Sequence, residues 1–400
     1  MSTYVFASAS GEVRFDEADL VRIGAGAVSD VFRLGSDRHA GLAIKLYKEP
    51  ASVDWERIRR LAQLGQRIEA EGGHASAGFG FPRAIVHRGL APAGICLPLF
   101  PQPGYTSLDN WTEVPLLKRL GENLDNLTIR LALVANLAEA ISFLHARDIA
   151  VVDLKPANIL VDTRTVRLAI LDTDSFGFVD PTGRKFPPTH VSAGYIDPRG
   201  YSGELDVGAL WQDQDLYALA VIAFQLLNNG VHPYQCVAAG TDELPPTNDE
   251  KAKAALYAYG LDARPGIAPI PLSVHGTWPT GIRQLFDRAF QPGKLRPSAA
   301  EWRAEAQGIL DAKELARCSA APEDARHIHF LDQPCGRCAL DQVRAGNAAR
   351  ALAQRRATTP PATIRARPVA TPTGASAGMP WWMILLILAT LAILLVALAK

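Results

Sequence analysis

The chain has 400 residues, in which 41 Lys and Arg are balanced by 41 Asp and Glu, so the formal net charge at pH 7 is zero. This balance excludes the global positive field of a chain whose main task is nucleic-acid binding, and the length indicates two or three structural units. Five cysteines are too few and too irregular for a disulfide framework, which favours a reducing compartment.

The N-terminal region predicts strands followed by a helix. Its first ten residues, MSTYVFASAS, lack a basic start followed by a long apolar run, so we expect no cleavable signal peptide. Residues 20–34 (LVRIGAGAVSDVFRL) and 41–47 (GLAIKLY) are β-rich and predict a hairpin with a glycine-rich turn. Helical spacing of apolar residues over 52–70 predicts a helix capped by Ser52 or Asp54.

The middle of the chain predicts a long helix and then a second hairpin. Residues 128–147 carry one apolar stripe, with Thr128 as the expected cap. Residues 158–162 and 166–172 should pair as antiparallel strands. Residues 215–227 are apolar nearly all round and predict a buried central helix, after which the chain should be mostly helical to about residue 312.

Four polar residues around the second hairpin match the needs of phosphate chemistry. Such a site requires a cation for phosphate oxygens, hard oxygen ligands for magnesium and a base near the accepting hydroxyl. Lys45 on a strand can supply the cation, Asn158 and Asp172 the oxygen ligands, and Asp153 the base. The strand pairing would place Asp153 and Asn158 before the hairpin and Asp172 at its far end.

Four segments in the usual order and spacing resemble the eukaryotic-type (Hanks-type) serine/threonine protein kinase family, and LDTDSFGF is similar to a bacterial subgroup of it. The segments are IGAGAVSDVFRL, LAIKLY, VVDLKPANILVD and AILDTDSF. The resemblance covers about residues 18–312. It implies an α+β, bilobal protein-kinase-like fold over residues 1–315, with a small β-rich N-lobe and a mostly helical C-lobe.

The resemblance also implies roles for individual residues. Lys45 would pair with the α- and β-phosphates of ATP. Asp153 would be the catalytic-loop base, and Lys155 would lie near the transferred phosphoryl group. Asn158 and Asp172 would hold Mg²⁺ or Mn²⁺.

The glycine-rich turn would cover the nucleotide. Gly24 and Gly26 let the backbone approach phosphates closely, and Val31 completes the predicted ATP-binding set. Ser29 stands where the family has a third glycine, which would loosen the grip on phosphate. A tight hairpin turn without a nucleotide is the alternative interpretation.

Supporting residues are predicted by the same resemblance. Glu56 is the preferred partner of Lys45, with Glu69 as the second possibility. Asp215 matches the buried aspartate that braces the catalytic loop. Arg296 matches a late arginine that supports the C-lobe.

Three departures from the family pattern concern regulation and support. Val151-Val152 replaces the usual His-Arg, so activation by loop phosphorylation is doubtful. Asp172-Thr173-Asp174 replaces Asp-Phe-Gly, and Asp174 is an additional possible metal ligand. Arg199 replaces the glutamate that pairs with the late arginine, so Glu204 or another acid must substitute, or the contact is lost.

The expected activity is transfer of the γ-phosphoryl group of ATP to protein Ser or Thr hydroxyls, including the chain's own, with Thr189 and Ser192 as the first places to look. Two alternatives remain open. The chain could be a pseudokinase that binds nucleotide or a partner without turnover, or a small-molecule kinase. The second alternative is disfavoured by Lys155, because small-molecule kinases tend to lack that lysine.

A Cys/His-containing tail segment follows at residues 316–340. Its sequence HIHFLDQPCGRC offers Cys335 and Cys338, with His327 and His329 nearby. This is zinc-ligand chemistry, although one Cys pair is not four ligands; reduced thiols are the alternative.

The C-terminal residues predict a membrane anchor. Residues 341–379 contain six arginines, one acid and many Pro, Thr and Ala, which predicts a flexible linker. Residues 380–400 predict a transmembrane helix, because 381–399 are apolar apart from Thr390 and, at about 1.5 Å per helical residue, would cross roughly 28 Å of lipid bilayer. The arginines favour a single-pass C-terminal anchor with the kinase-like domain in the cytoplasm. A buried core helix is the alternative.

Overall fold

The computed structural model describes residues 3–8, 11–35, 41–100, 104–201, 211–241 and 243–358. The predicted transmembrane helix and the second part of the predicted linker lie outside the described residues.

The strands are short and most pair with antiparallel neighbours. They are β1 (Thr3–Ser8), β2 (Gly11–Asp16), β3 (Leu20–Ala25), β4 (Ser29–Leu34), β5 (Leu42–Tyr47), β6 (Ala77–Phe79), β7 (Ala84–Arg88), β8 (Ala91–Pro98), β9 (Tyr105–Ser107), β10 (Ile149–Ala150), β11 (Ile159–Asp162), β12 (Leu168–Ile170), β13 (Gly177–Val179), β14 (Lys185–Phe186), β15 (Cys236–Ala238), β16 (Ile267–Pro269), β17 (Leu315–Arg317) and β18 (Ile328–Phe330).

The helices concentrate in the second half of the chain. They are α1 (Trp55–Ala70), α2 (Asp109–Thr112), α3 (Leu127–His145), α4 (Pro198–Tyr201), α5 (Trp211–Leu227), α6 (Asn248–Lys253), α7 (Thr280–Phe290), α8 (Ala299–Asp311) and α9 (Gly336–Thr358).

The N-terminal lobe is a sheet with the strand order β2-β1-β7-β8-β5-β4-β3. The two segments predicted as one hairpin form three successive strands, because the glycine-rich turn lies inside the first segment, between β3 and β4. The β1–β2 hairpin, which the sequence analysis did not predict, extends this sheet through pairing of β1 with β7.

Each face of the sheet buries its own apolar cluster. Tyr4, Phe6 and Phe15 of the added hairpin pack with residues of the central strands on one face. On the other face, Ile58 of α1 packs against Ile95. The α1 helix begins where predicted, because the Asp54 side chain accepts hydrogen bonds from the N–H groups of its first turn.

The second lobe is mostly helical and is built around α3 and α5, which pack against each other and against α8 and α7. Within the described residues, α3 is the one helix long and apolar enough to cross a membrane, and most of its apolar window is buried inside this lobe. It is therefore a core helix. Its cap is Asn126, whose side chain accepts from the Ile129 N–H, and not the predicted Thr128.

The predicted hairpin after α3 is confirmed as β11 and β12, which pair from Ile159↔Ile170 to Val161↔Leu168. The loop between β10 and β11 holds Asp153 and Asn158, and Asp172 follows β12. Together the described residues form the α+β arrangement that was predicted, with a β-rich lobe followed by a mostly helical one.

The tail beyond α8 packs onto the helical lobe. Strands β17 and β18 pair with each other, and Phe330 is buried in the core of that lobe. The α9 helix then runs through residues 341–358, where composition predicts a flexible linker, so that prediction is wrong for this part. Low proline content and abundant Ala, Arg and Gln before residue 359 favour the helix.

Candidate active site

A cleft of about 1460 Å³ has walls from both lobes and contains the predicted polar residues. Lys45 lines it from the sheet, and Asp153, Asn158 and Asp172 line it from the helical lobe. Lys45 is far in sequence from the other three residues, and the fold brings all four into one crevice.

One part of the cleft is apolar. Its walls include Ala43, Leu97 and Leu99 from the sheet and its exit, and Leu160 and Leu171 from the second hairpin. Such a lining suits a flat apolar ring, as in a nucleotide base. The sequence analysis did not name these residues, because in a sequence the aliphatic side chains that line a cleft cannot be distinguished from those of the hydrophobic core.

The glycine-rich turn forms one edge of the cleft. The Gly26 N–H donates to the Ser29 carbonyl at 2.9 Å, and Lys48 Nζ donates to the Gly26 carbonyl at 2.6 Å. A Cβ on Gly26 would lie 3.0 Å from the Ser29 carbonyl oxygen, so the turn has little room for a side chain. Gly24 pairs with Val31 across the turn. Both residues line the cleft, as do Gly26 and Ser29.

Lys45 is held by two carboxylates. Its Nζ lies 2.5 Å from Asp172 Oδ1 and 2.7 Å from Asp174 Oδ1, and its side chain is 9% exposed. Burial by itself lowers the pKa of Lys45, but the charges and hydrogen bonds of Asp174 and Asp172 outweigh burial and raise that pKa above its ordinary value. Tyr47 OH also donates to Asp174, at 2.7 Å. Lys45 is therefore a fixed cation at neutral pH.

Glu56 does not contact Lys45, so the predicted pairing is wrong for this structure. Its carboxylate lies 2.8 Å from Arg184 Nη1 and its side chain is 46% exposed. The second possibility, Glu69, pairs instead with Arg83. The carboxylates that bind Lys45 are those of Asp172 and Asp174, which the sequence analysis considered only as metal ligands.

Arg57, the residue after Glu56, is buried and binds the segment that follows β12. Its guanidinium donates to the backbone carbonyls of Asp174, Phe176 and Pro187, the last at 2.6 Å. Helix α1 thus contacts this segment through an arginine, whereas the sequence analysis expected it to contact the strand lysine through a glutamate.

Asp153 is a buried residue of the same cleft. Its Oδ2 accepts from Lys155 Nζ at 2.7 Å and from Asn158 Nδ2 at 3.3 Å, and its Oδ1 has no hydrogen-bond partner among the described residues. Lys155 Nζ also donates to Ser192 Oγ at 2.6 Å. One buried carboxylate oxygen of Asp153 thus lacks a hydrogen-bond donor among the described residues.

Asp215 braces the loop that carries Asp153, as predicted. Its carboxylate accepts from the Val151 and Val152 N–H groups at 2.8 and 2.6 Å, and from His145 Nε2 at 2.9 Å. Val152 has φ +61°, which is strained for a β-branched residue. The buried carboxylate holds that conformation and so fixes the neighbouring Asp153.

The side chains of Asn158 and Asp172 fit a magnesium site. The Leu171 N–H donates to the Asn158 carbonyl at 2.8 Å, which brings Asn158 beside Asp172. Because the Asn158 amide nitrogen donates toward Asp153, its side-chain oxygen remains available as a ligand, and Asp172 supplies a carboxylate. Two hard oxygens of this kind suit Mg²⁺. Thr173, the residue after Asp172, is buried and its hydroxyl donates to the Gly80 carbonyl.

Arg296 supports the helical lobe through Asp197. Its Nη1 lies 2.7 Å from Asp197 Oδ2, and Arg199 binds the same carboxylate. Asp197 is therefore the acid that pairs with Arg296 in this chain, where Arg199 stands in place of the expected glutamate. Burial acts to raise the pKa of Asp197, but Arg199 and Arg296 outweigh it and hold that pKa below its ordinary value. The proposed substitute Glu204 lies outside the described residues.

Comparison with known proteins adds an independent observation. No protein-family model matches the chain. It is 30% identical over 159 residues to the serine/threonine-protein kinase Pkn1 of Myxococcus xanthus, which covers 40% of this chain and 20% of Pkn1. It is 37% identical over 125 residues to the human phosphorylase b kinase gamma catalytic chain, liver/testis isoform, which covers 28% of this chain and 29% of that relative.

The chain thus spans less than a third of the length of either relative. Both are named protein kinases, and the likeness supports a kinase-type phosphotransferase.

Proposed function

We propose that the chain is an ATP-dependent serine/threonine protein kinase. The observation that carries the proposal is the gathering of Lys45, Asp153, Asn158 and Asp172 in one cleft whose neighbouring wall is apolar. Catalysis would consist mainly of positioning and charge neutralisation, which is what phosphoryl transfer requires of a protein.

Each polar residue has a role that its contacts support. The unpartnered Oδ1 of Asp153 would accept a hydrogen bond from the substrate hydroxyl and orient it. Lys155, already donating to a serine hydroxyl at Ser192, would neutralise negative charge near the transferred group. Lys45 would bind the phosphates of ATP. Magnesium, held by Asn158 and Asp172, would supply charge neutralisation at the phosphate oxygens.

The test is transfer of radiolabelled phosphate from ATP by the full-length chain to itself and to a general protein substrate, with Mg²⁺ or Mn²⁺. The Asp153→Asn variant should lose transfer because the amide cannot accept the hydroxyl proton, whereas nucleotide binding should remain. Absence of any protein labelling by the unmodified chain with either metal would refute the kinase assignment.

A pseudokinase is the second candidate, because two observations favour it. The glycine-rich turn has Ser29 in place of a glycine, and Lys45 is bound by two carboxylates at once. A chain of this kind would bind ATP, as measured by a nucleotide-dependent rise in melting temperature, without labelling any protein.

Labelling of a metabolite in place of protein would identify the third possibility, a small-molecule kinase.

We also propose that the kinase-like domain is tethered to a membrane through residues 381–399 and faces the cytoplasm. The support is the apolar composition of that stretch and the arginines that precede it. Fractionation of cells that produce the full-length chain should recover it in membranes resistant to alkaline carbonate. Removal of residues 380–400 should release it, and recovery of the full chain in the soluble fraction would contradict the tether.

A further inference from the structure

We propose that Cys318, His327, Cys335 and Cys338 form a structural Zn²⁺ site that fixes the tail to the helical lobe. The site is separate from the candidate active site, since none of the four residues lines that cleft. The sequence offered Cys335 and Cys338 with His327 and His329 nearby; the fold selects His327 and adds Cys318.

The positions of the four ligand atoms carry the proposal. All lie within 4.8 Å of one another. Cys318 Sγ is 3.6 Å from Cys338 Sγ, and His327 Nδ1 is 3.4 Å from Cys338 Sγ and 3.7 Å from Cys335 Sγ. With Zn–S near 2.3 Å and Zn–N near 2.0–2.1 Å, the edges of a tetrahedral site measure roughly 3.5–3.8 Å. These three distances match the edges of a Cys₃His zinc site, and the 4.8 Å limit keeps the remaining ligand atoms within reach of one ion.

The backbone and side-chain contacts around the four ligands hold them as in a structural metal site. Cys318 directly follows β17 and its N–H donates to the His327 carbonyl at 2.9 Å, so the hairpin fixes these two ligands relative to each other. Cys335 and Cys338 lie at the start of α9. The other ring nitrogen of His327, Nε2, lies 3.5 Å from Asp341 Oδ2, a carboxylate placed to orient the imidazole.

The fold distinguishes between the two histidines of the HIHF sequence. His329 Nδ1 lies 2.9 Å from the Phe330 carbonyl and does not join the cluster. His327 is buried, whereas His329 is only partly so. The two histidines differ because His327 ends the short 3₁₀ turn Ala325–His327, whereas His329 lies within β18.

The site would tie the β17–β18 hairpin to the start of α9. The segment from 315 to 341 buries few apolar side chains, and its contacts with the helical lobe include exposed or partly exposed ion pairs such as Arg326–Glu122 at 3.4 Å. Such pairs contribute little to stability. Gly336 packs closely, since a Cβ there would lie 3.0 Å from Thr277 Oγ1. A bound metal would lock this approach and fix the start of α9.

The test is the zinc content of the full-length chain, purified without chelators and measured by plasma mass spectrometry. We expect about one zinc per chain, close to zero in Cys318→Ser and Cys338→Ser, and about one in the matched control His329→Ala. The metal-substituted chain should show the absorption of tetrahedral Co²⁺ with thiolate charge-transfer bands. X-ray absorption of the zinc form should give a shell of three sulfurs and one nitrogen.

The spectroscopic measurements use the unmodified sequence, so they remain decisive if a serine variant does not fold. Zinc below a tenth of an equivalent, zinc retained by either serine variant, or a shell of oxygen and nitrogen only would overturn the site. A Cys318–Cys338 disulfide in freshly purified protein would overturn it as well. None of these readouts depends on kinase activity.

Discussion

Lys45 of β5 and Asp174 of the segment after β12 form a nearly buried ion pair, with Nζ 2.7 Å from Oδ1 and 2.8 Å from Oδ2. The lysine is thereby tied to the same segment that carries Asp172. Helix α1 contributes to this arrangement through Arg57, which binds the backbone carbonyl of Asp174. The position of the cation therefore depends on the conformation of residues 172–176.

Removal of the Asp174 charge should impair use of ATP. We expect Asp174→Asn to lower kcat/KM for ATP about 10- to 100-fold, because a charge-assisted contact contributes about 1.5–3 kcal/mol and Asp172 alone would then hold Lys45. Glu56→Gln is the matched control, and it should change kcat/KM less than about threefold because Glu56 contacts arginines. Steady-state kinetics at varied ATP would measure both. A larger effect of Glu56→Gln would indicate that the working enzyme pairs Lys45 with α1.

Loss of the Arg57 side chain should loosen the segment after β12. Arg57→Ala leaves the carbonyls of Asp174, Phe176 and Pro187 without their donor, and the Phe176 contact is buried, so we expect a loss of about 2–4 kcal/mol in the free energy of unfolding. Arg59→Ala, exposed on the same helix, should cost less than about 0.5 kcal/mol. Urea unfolding would give both values. Equal losses for the two variants would show that the hydrogen bonds of Arg57 to the segment after β12 do not contribute to stability.

The two arginines at Asp197 should differ in their effect on stability. Asp197 is 1% exposed, Arg296 is 14% exposed and Arg199 is 45% exposed. Arg296→Ala should cost about 3 kcal/mol and Arg199→Ala below about 1 kcal/mol, because the cost of breaking an ion pair rises as the pair is buried. Thermal and urea unfolding of both variants would check this order, and a reversed order would contradict it.

The same ion pair predicts a pH dependence. The pKa of Asp197 is lower in the folded chain than its ordinary value of 3.8, so the folded state binds fewer protons than the unfolded state in that region. The contribution of the pair is fully present above that ordinary value and is lost as the pH falls from it through the lower pKa of Asp197 in the folded chain. The difference in melting temperature between the unmodified chain and Arg296→Ala should therefore narrow from about pH 5 to pH 3. A constant or widening difference would contradict the assignment.

Phosphorylation of Thr189 should not be needed for activity. The residues before Asp153 are two buried valines, so the loop has no adjacent arginine to bind a phosphate on that segment. We expect Thr189→Ala and phosphatase-treated protein to keep initial rates within about twofold of the untreated chain. Ser192→Ala provides the contrast and should lower the rate, because it removes the hydroxyl that Lys155 binds at 2.6 Å. A Thr189→Ala chain with no activity would show that loop phosphorylation does control it.

The sequence by itself determined the elements whose evidence is local. Alternation and turn residues predicted the strand of Lys45 and the hairpin between Asn158 and Asp172, and the structure confirms both, since strand pairing over a short loop depends on nearby residues. The resemblance also implied that Asp215 braces the loop before Asp153, and the structure shows those hydrogen bonds.

Only the tertiary structure decided which charges meet. Several carboxylates are within chain reach of Lys45, and the choice of Asp174 over Glu56 depends on how α1 packs on the sheet and on what Arg57 binds. In the same way, Cys318 and His327 join Cys335 and Cys338 because a hairpin and a helix start meet in space. Partners of this kind are set by burial and by the orientation of distant elements, which residue spacing does not encode.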